Sequence, residues 1–87
     1  MSLQQLQYFV AVAEAQHVTR AAERLRISQP PLSRQIQALE DELGQLLFER
    51  RGRGIVLTEF GRYFAAQAAE ILAHVETVLA DTKRWPS

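Results

Sequence analysis

The stretch SQPPLSRQIQALEDELG, residues 28–44, decides the fold. Ser28 is a favoured residue type at a helix start, and a proline in the first turn removes only N–H groups that have no intrahelical partner. Pro30 and Pro31 therefore mark and stiffen a helix entry, after which Leu32, Ile36, Leu39 and Leu43 step by four, three and four until Gly44 offers a stop. The spacing predicts a helix from about Gln29 to Leu43. With about 100° per residue, this apolar stripe lies nearly opposite Pro30 and Arg34, with Ser33 and Gln37 beside them and Gln29 at the N-terminal edge. The open side of the helix is thus polar, and its entry is rigid.

Upstream, Leu3, Leu6, Val10 and Ala13 recur at helical spacing, with Phe9 and Val12 widening the stripe, and Thr19–Leu25 forms a short Ala-rich second helix before the break at Arg26-Ile27-Ser28. Downstream, LLFERRGRGIVLT, residues 46–58, reads as a small β-hairpin. Apolar Leu46–Phe48 and Ile55–Leu57 flank a polar tip, which is expected to carry Arg50, Arg51 and Arg53 on a flexible loop. Thr58 can cap a last, long helix. Its apolar or small residues at 57, 61, 64, 68, 71, 75 and 78 alternate four and three apart, the 3.5-residue period of a coiled-coil seam. A helix from Thr58 to Lys83 would span roughly 39 Å at about 1.5 Å per residue. The residues before it are too few to cover that length, so its far half needs a partner. The expected dimer interface is Phe64, Ala68, Ile71, Leu72, Val75, Val78 and Leu79.

The expected fold class is therefore mainly α: a winged helix-turn-helix, three helices plus a two-stranded wing, followed by a long linker or dimerisation helix. The expected division is residues 1–58 for the winged body, 59–84 for the linker helix, and 85–87 for the start of a hinge or a cut end.

Length and composition restrict the function. A chain of 87 residues builds one modest core and leaves no room for a substrate-sized cleft. With no Cys, neither a disulfide framework nor a thiolate zinc site can hold it. The start of the chain lacks a basic leader with an apolar run, and no apolar stretch is long enough for a membrane span, which predicts a soluble, cytoplasmic protein with no membrane partner. His17 and His74 are far apart with no other soft ligand nearby, and no nucleophile–base grouping or phosphate-binding loop stands out, so neither a metal nor an enzymatic activity is expected.

Net charge is zero, which by itself argues against a nucleic-acid binder. The distribution says otherwise: seven of the ten basic residues are arginines between Arg20 and Arg53, whereas residues 59–82 hold Glu59, Glu70, Glu76 and Asp81 against Arg62. That is the pattern of a chain with one face for a polyanion. The polar stripe of the third helix has groove chemistry: Arg can fork onto guanine O6 and N7, Gln can pair with adenine N6 and N7, Ser adapts, and Pro can lie against a thymine methyl. The helix N-terminus adds partial positive charge and free N–H groups suited to phosphate. Asp41 shares the Arg34 stripe but sits about 10 Å further along the axis, where it can point away from phosphate. An arginine tip suits a narrow A·T-rich minor groove. The competing reading is a winged-helix protein–protein dimerisation module that binds no DNA, with neutral net charge in its favour.

SQPPLSRQI followed by LE-x-ELG and LFER, set between TRAAERL and the linker helix, resembles the N-terminal DNA-binding domain of the LysR-type bacterial transcriptional regulators over essentially the whole chain. Within that family, the double proline and Lys83-Arg84 are similar to the subgroup controlling breakdown of aromatic compounds such as benzoate, catechol or chlorocatechol. The resemblance implies a homodimer joined by antiparallel linker helices on an imperfect palindromic operator, with recognition helices in major grooves and wings in minor grooves. By it, Gln29, Pro30, Ser33 and Arg34 would read bases, Thr19 and Ser28 would hold phosphate, and Arg53 would enter the minor groove. Gln37 and Arg50 are expected to join the phosphate contacts. Gln16-His17-Val18 departs from the family's usual Gly-Ser-Phe before the second helix, and Phe60 replaces a usual Ala, as extra packing under the wing. A small-molecule inducer and tetramer formation are implied only for the family's C-terminal domain, so no cofactor is expected in these residues.

Overall fold

Helix starts and stops follow from local chemistry. The computed structural model describes residues 1–86, in the order α1 (Leu3–Ala15), α2 (Val18–Leu25), α3 (Gln29–Leu43), β1 (Phe48–Arg51), β2 (Gly54–Leu57) and α4 (Glu59–Lys83). Ser87, at the end of the expected hinge segment, lies outside the described residues. Ser2 and Gln5 form a reciprocal capping box at α1, each side chain accepting from the other's backbone N–H at 3.1 Å. The tight turn between α2 and α3 is a Schellman motif: Ile27 N–H bonds the Ala22 carbonyl and Arg26 N–H the Glu23 carbonyl, with Arg26 left-handed at φ 59°. Half-buried Ile27 supplies the apolar contact that accompanies it. α3 occupies the expected span and ends on left-handed Gly44.

Ser28 corrects one expectation. It holds the extended backbone of a cap, but its side chain makes no capping bond. A cap oxygen accepts from the second or third helical N–H, and those positions are Pro30 and Pro31, which have none. Of the four N–H groups that lack an intrahelical partner at this entry only those of Ser28 and Gln29 exist, so the free N–H groups expected for phosphate shrink to two.

Phe9, fully buried, organises the core. Its ring meets Phe64 of α4 edge-on at 5.2 Å and Phe48 of β1 at 5.5 Å, while Leu6, Val12, Ala21, Ala22, Leu32, Leu39 and Leu47 close around it. The small Ala21 and Ala22 let short α2 lie close to α1 and α3. α4 divides sharply. Phe64 and Ala68, both expected at the dimer interface, are 6% and 0% exposed and pack in this chain's own core, against which Leu72 also lies. Beyond Ala68, Leu72 and Val75 are half-buried, and Ile71, Val78 and Leu79 are 38%, 50% and 52% exposed. The far half of α4 projects, giving dimensions of 52 × 26 × 19 Å. Among the described residues, no helix is long and apolar enough to cross a membrane.

Where α4 enters, the backbone of Gly61 comes so close to the body that a Cβ would lie 2.1 Å from the Leu47 carbonyl oxygen. That oxygen also accepts from Thr58 N–H at 2.9 Å and is held in place. Gly61→Ala should therefore destabilise by about 1–3 kcal/mol, as overpacking does, although Ala is the better helix former by about 1 kcal/mol. A urea midpoint equal to or above the parent's would contradict this account of the junction.

Candidate nucleic-acid interface

The wing is longer than expected. Its strands pair Phe48 with Leu57, Glu49 with Val56, Arg50 with Ile55 and Arg51 with Gly54, and only Gly52 and Arg53 make the turn, with Gly52 left-handed at φ 58° as a two-residue hairpin allows. Arg50 and Arg51 thus lie in a strand, not on a flexible loop. Because strand residues alternate faces, Arg50 shares the Phe48/Ile55 face and Arg51 takes the opposite one. Leu46 and Leu47 precede the strand: Leu47 enters the core, and the Leu46 carbonyl accepts from the Thr58 hydroxyl at 2.7 Å.

β2 is docked against the corner between α1 and α2. Ile55 N–H donates to the Gln16 carbonyl at 3.1 Å, and a Cβ on Gly54 would lie 2.6 Å from that same oxygen. This close approach brings the inner wing face beside α2 and α3. His17, Thr19, Gln29, Arg50 and Arg53 consequently line one notch, with residues drawn from three separate elements. Next to it, Ser33, Gln37 and Arg50 line a second hollow between α3 and the wing. Pro30 and Arg34 are exposed on the outward stripe of α3, and Ser28 is exposed at its entry.

The charges in this region are uncommitted. Among the described residues the ion pairs are Met1–Glu42 and Arg84–Asp81, so Arg34, Arg50 and Arg53 have no carboxylate partner. The acidic end of α3 is engaged instead: Glu40 accepts from Leu47 N–H at 2.7 Å, Glu42 meets the terminal amine, and Asp41 accepts from the Gln37 amide at 3.0 Å. Gln29 donates to the Ser33 hydroxyl at 2.6 Å. The structure so brings Thr19, Gln29, Arg50 and Arg53 together and sets Ser33 and Gln37 alongside. Sequence reasoning missed His17 as a wall of the notch and cap of α2, its Nδ1 accepting from Arg20 N–H at 3.4 Å. It also missed the Gln37–Asp41 pair, for which the four-residue spacing was the available signal. No group of three or more metal-ligating side chains occurs among the described residues.

Known proteins are similar to this chain in sequence and fold. The family model described as "Bacterial regulatory helix-turn-helix protein, lysR family" matches residues 3–62. The chain is 52% identical over 84 residues to the probable cat1 operon transcriptional activator of Acinetobacter lwoffii and 50% identical over 87 residues to the transcriptional regulator BenM of Acinetobacter baylyi, covering 97% and 100% of this chain. It spans only 28% and 29% of those proteins. In structure it is similar to the BenM DNA-binding domain in the crystal structure of its complex with benA site 1 DNA, at a TM-score of 0.92 and 50% identity over 97% of this chain and 94% of that one. The CbnR DNA-binding domain in its DNA complex is similar at a TM-score of 0.86 and 49% identity, over 97% and 95%.

Proposed function

We propose, from the premise that the chain belongs to the lysR family of bacterial regulatory helix-turn-helix proteins, that it is the sequence-specific double-stranded DNA-binding part of a transcriptional regulator. α3 enters the major groove, where Gln29, Pro30, Ser33 and Arg34 meet base edges. Thr19, Ser28 and Arg50 hold the sugar-phosphate backbone along the rim, and Arg53 reaches the neighbouring minor groove. The observation that carries this reading is the notch in which Arg50 and Arg53, free of carboxylates, converge with Thr19 and Gln29. Neutral net charge does not oppose it, because the acidic residues Glu40, Asp41 and Glu42 of α3 are engaged, and Glu70, Glu76 and Asp81 lie beyond Ala68 on α4.

The domain acts as a homodimer through Ile71, Leu72, Val75, Val78 and Leu79 of α4, placing two copies of α3 on the halves of an imperfect palindrome. Its work is binding, with no enzymatic step and no cofactor in these residues. Tetramer formation and the response to a small-molecule inducer belong to the rest of a full-length regulator, which works in the cytoplasm.

A salt titration of duplex binding tests this reading. Two copies each of Arg50 and Arg53 bring about four positive charges onto the duplex and release as many counterions, so log K should fall against log salt with a slope of about −3.6, about 10²-fold between 50 and 200 mM. A protein–protein module would bind no duplex at any salt. Arg53→Ala should flatten the slope by about 2 in the dimer and weaken binding most on A·T-rich flanks, whose narrow minor groove attracts arginine. Equal losses on A·T-rich and G·C-rich flanks would make Arg53 a plain phosphate contact.

A further inference from the structure

Four polar side chains stand four residues apart along α3: Gln29, Ser33, Gln37 and Asp41. They are joined pairwise, Gln29 donating to Ser33 at 2.6 Å and Gln37 donating to Asp41 at 3.0 Å. The second pair has no evident structural purpose. An exposed pair of this kind stabilises a helix only slightly, and its neighbours Glu40 and Glu42 already tie the end of α3 to the Leu47 backbone and to the chain terminus. Of the three consecutive acids, Asp41 alone is turned back along the reading face of the helix.

We infer that Asp41 is a positioning residue that sets the Gln37 amide to read adenine in the major groove, making Gln37 a base contact rather than the phosphate contact expected. This rests on the DNA-binding reading above. An ionised carboxylate only accepts hydrogen bonds, so the nitrogen of the Gln37 amide must face Asp41 and its orientation is decided by chemistry. The pairing consumes one N–H and leaves Oε1 and the second N–H. Those are the acceptor and donor that adenine N6 and N7 require, whereas guanine presents only acceptors, O6 and N7, to an amide oxygen backed by a carboxylate. A phosphate at this point would likewise meet the Asp41 charge. Gln37 lines the hollow next to Ser33 and Arg50, one turn beyond a proposed base reader, so the groove floor is within its reach.

The test is selection of random duplexes, followed by titration of single-base variants of the selected site, for the parent and for Gln37→Ala, Asp41→Ala, Asp41→Glu and the double alanine variant. Both side chains are exposed, and thermal melting verifies that each variant folds. One position per half-site should prefer adenine over guanine by about tenfold or more in the parent. Both single alanine variants should lose that preference, Asp41→Glu should keep most of it, and Asp41→Ala should remove nothing further once Gln37 is gone. Uniform tightening on every sequence by Asp41→Ala, with base preference intact, would show Asp41 to be bulk charge only and overturn the inference. So would a position governed by Gln37 that does not favour adenine. A parent that binds no duplex would instead overturn the DNA-binding reading itself.

Discussion

Replacing Ile71 and Val75 together by Asp is expected to abolish the dimer and to lower specific DNA affinity by about 10²-fold or more, because linked sites gain 10²- to 10⁴-fold from effective concentration alone. Ile71 is 38% exposed and Val75 half-buried within one chain, and both lie beyond Ala68, the last fully buried residue of α4. In the monomer the new carboxylates find water, so the fold should survive. In an apolar seam they would be desolvated without partners, a cost the interface cannot offset. Sedimentation beside an operator titration reads both halves. A dimer that persists, or a folded monomer that holds the full site as tightly as the parent, would show that α4 does not couple the two readers.

The same helix shows what periodicity can and cannot tell. Phe64, Ala68, Ile71, Val75 and Val78 form one unbroken four-three pattern, and a pattern of this kind states only that a face is buried, not against what. The first two members are buried in the core, Phe64 against Phe9; of the last three Val75 is half-buried and Ile71 and Val78 are exposed. Nothing local distinguishes the groups, since the division depends on how far the body reaches along α4. α3 was legible to the residue because three independent signals agree there: the proline entry, the leucine–isoleucine stripe and Gly44. The double proline nevertheless concealed a consequence, as the residues that announce the helix also delete both donors that Ser28 would have capped.

Side-chain partners were the least legible feature. Arg-Gly-Arg-Gly reads equally well as a long loop or as two strand residues and a two-residue turn, and the choice was made by the docking of β2 on the Gln16 carbonyl, a contact between segments far apart in sequence. That docking sends Arg50 toward the notch and Arg51 away from it. The composition around the wing predicts charge; only the register of the hairpin assigns it a face.

Arg34→Ala should cost about 1–3 kcal/mol of specific affinity and relax base preference at one position in each half-site, through loss of a bidentate donor to guanine. Three features of the structure support this size. Arg34 lies nearly opposite the buried Leu32, Ile36 and Leu39, so its fork points outward from the helix. It follows two prolines that hold the entry of α3 rigid, leaving little backbone entropy to lose on binding. It is also uncommitted: Asp41, seven residues on and the carboxylate nearest to its stripe, accepts from Gln37, and no ion pair with Arg34 forms. A guanidinium already paired would have to break that pair before meeting a base, and its deletion would then cost less. Arg34→Lys separates charge from geometry, because it keeps the charge and loses the planar fork. Lysine should recover part of the affinity while leaving base preference relaxed. If lysine restores both, the contact is a point charge on phosphate; if alanine in a folded domain changes neither, Arg34 does not enter the groove.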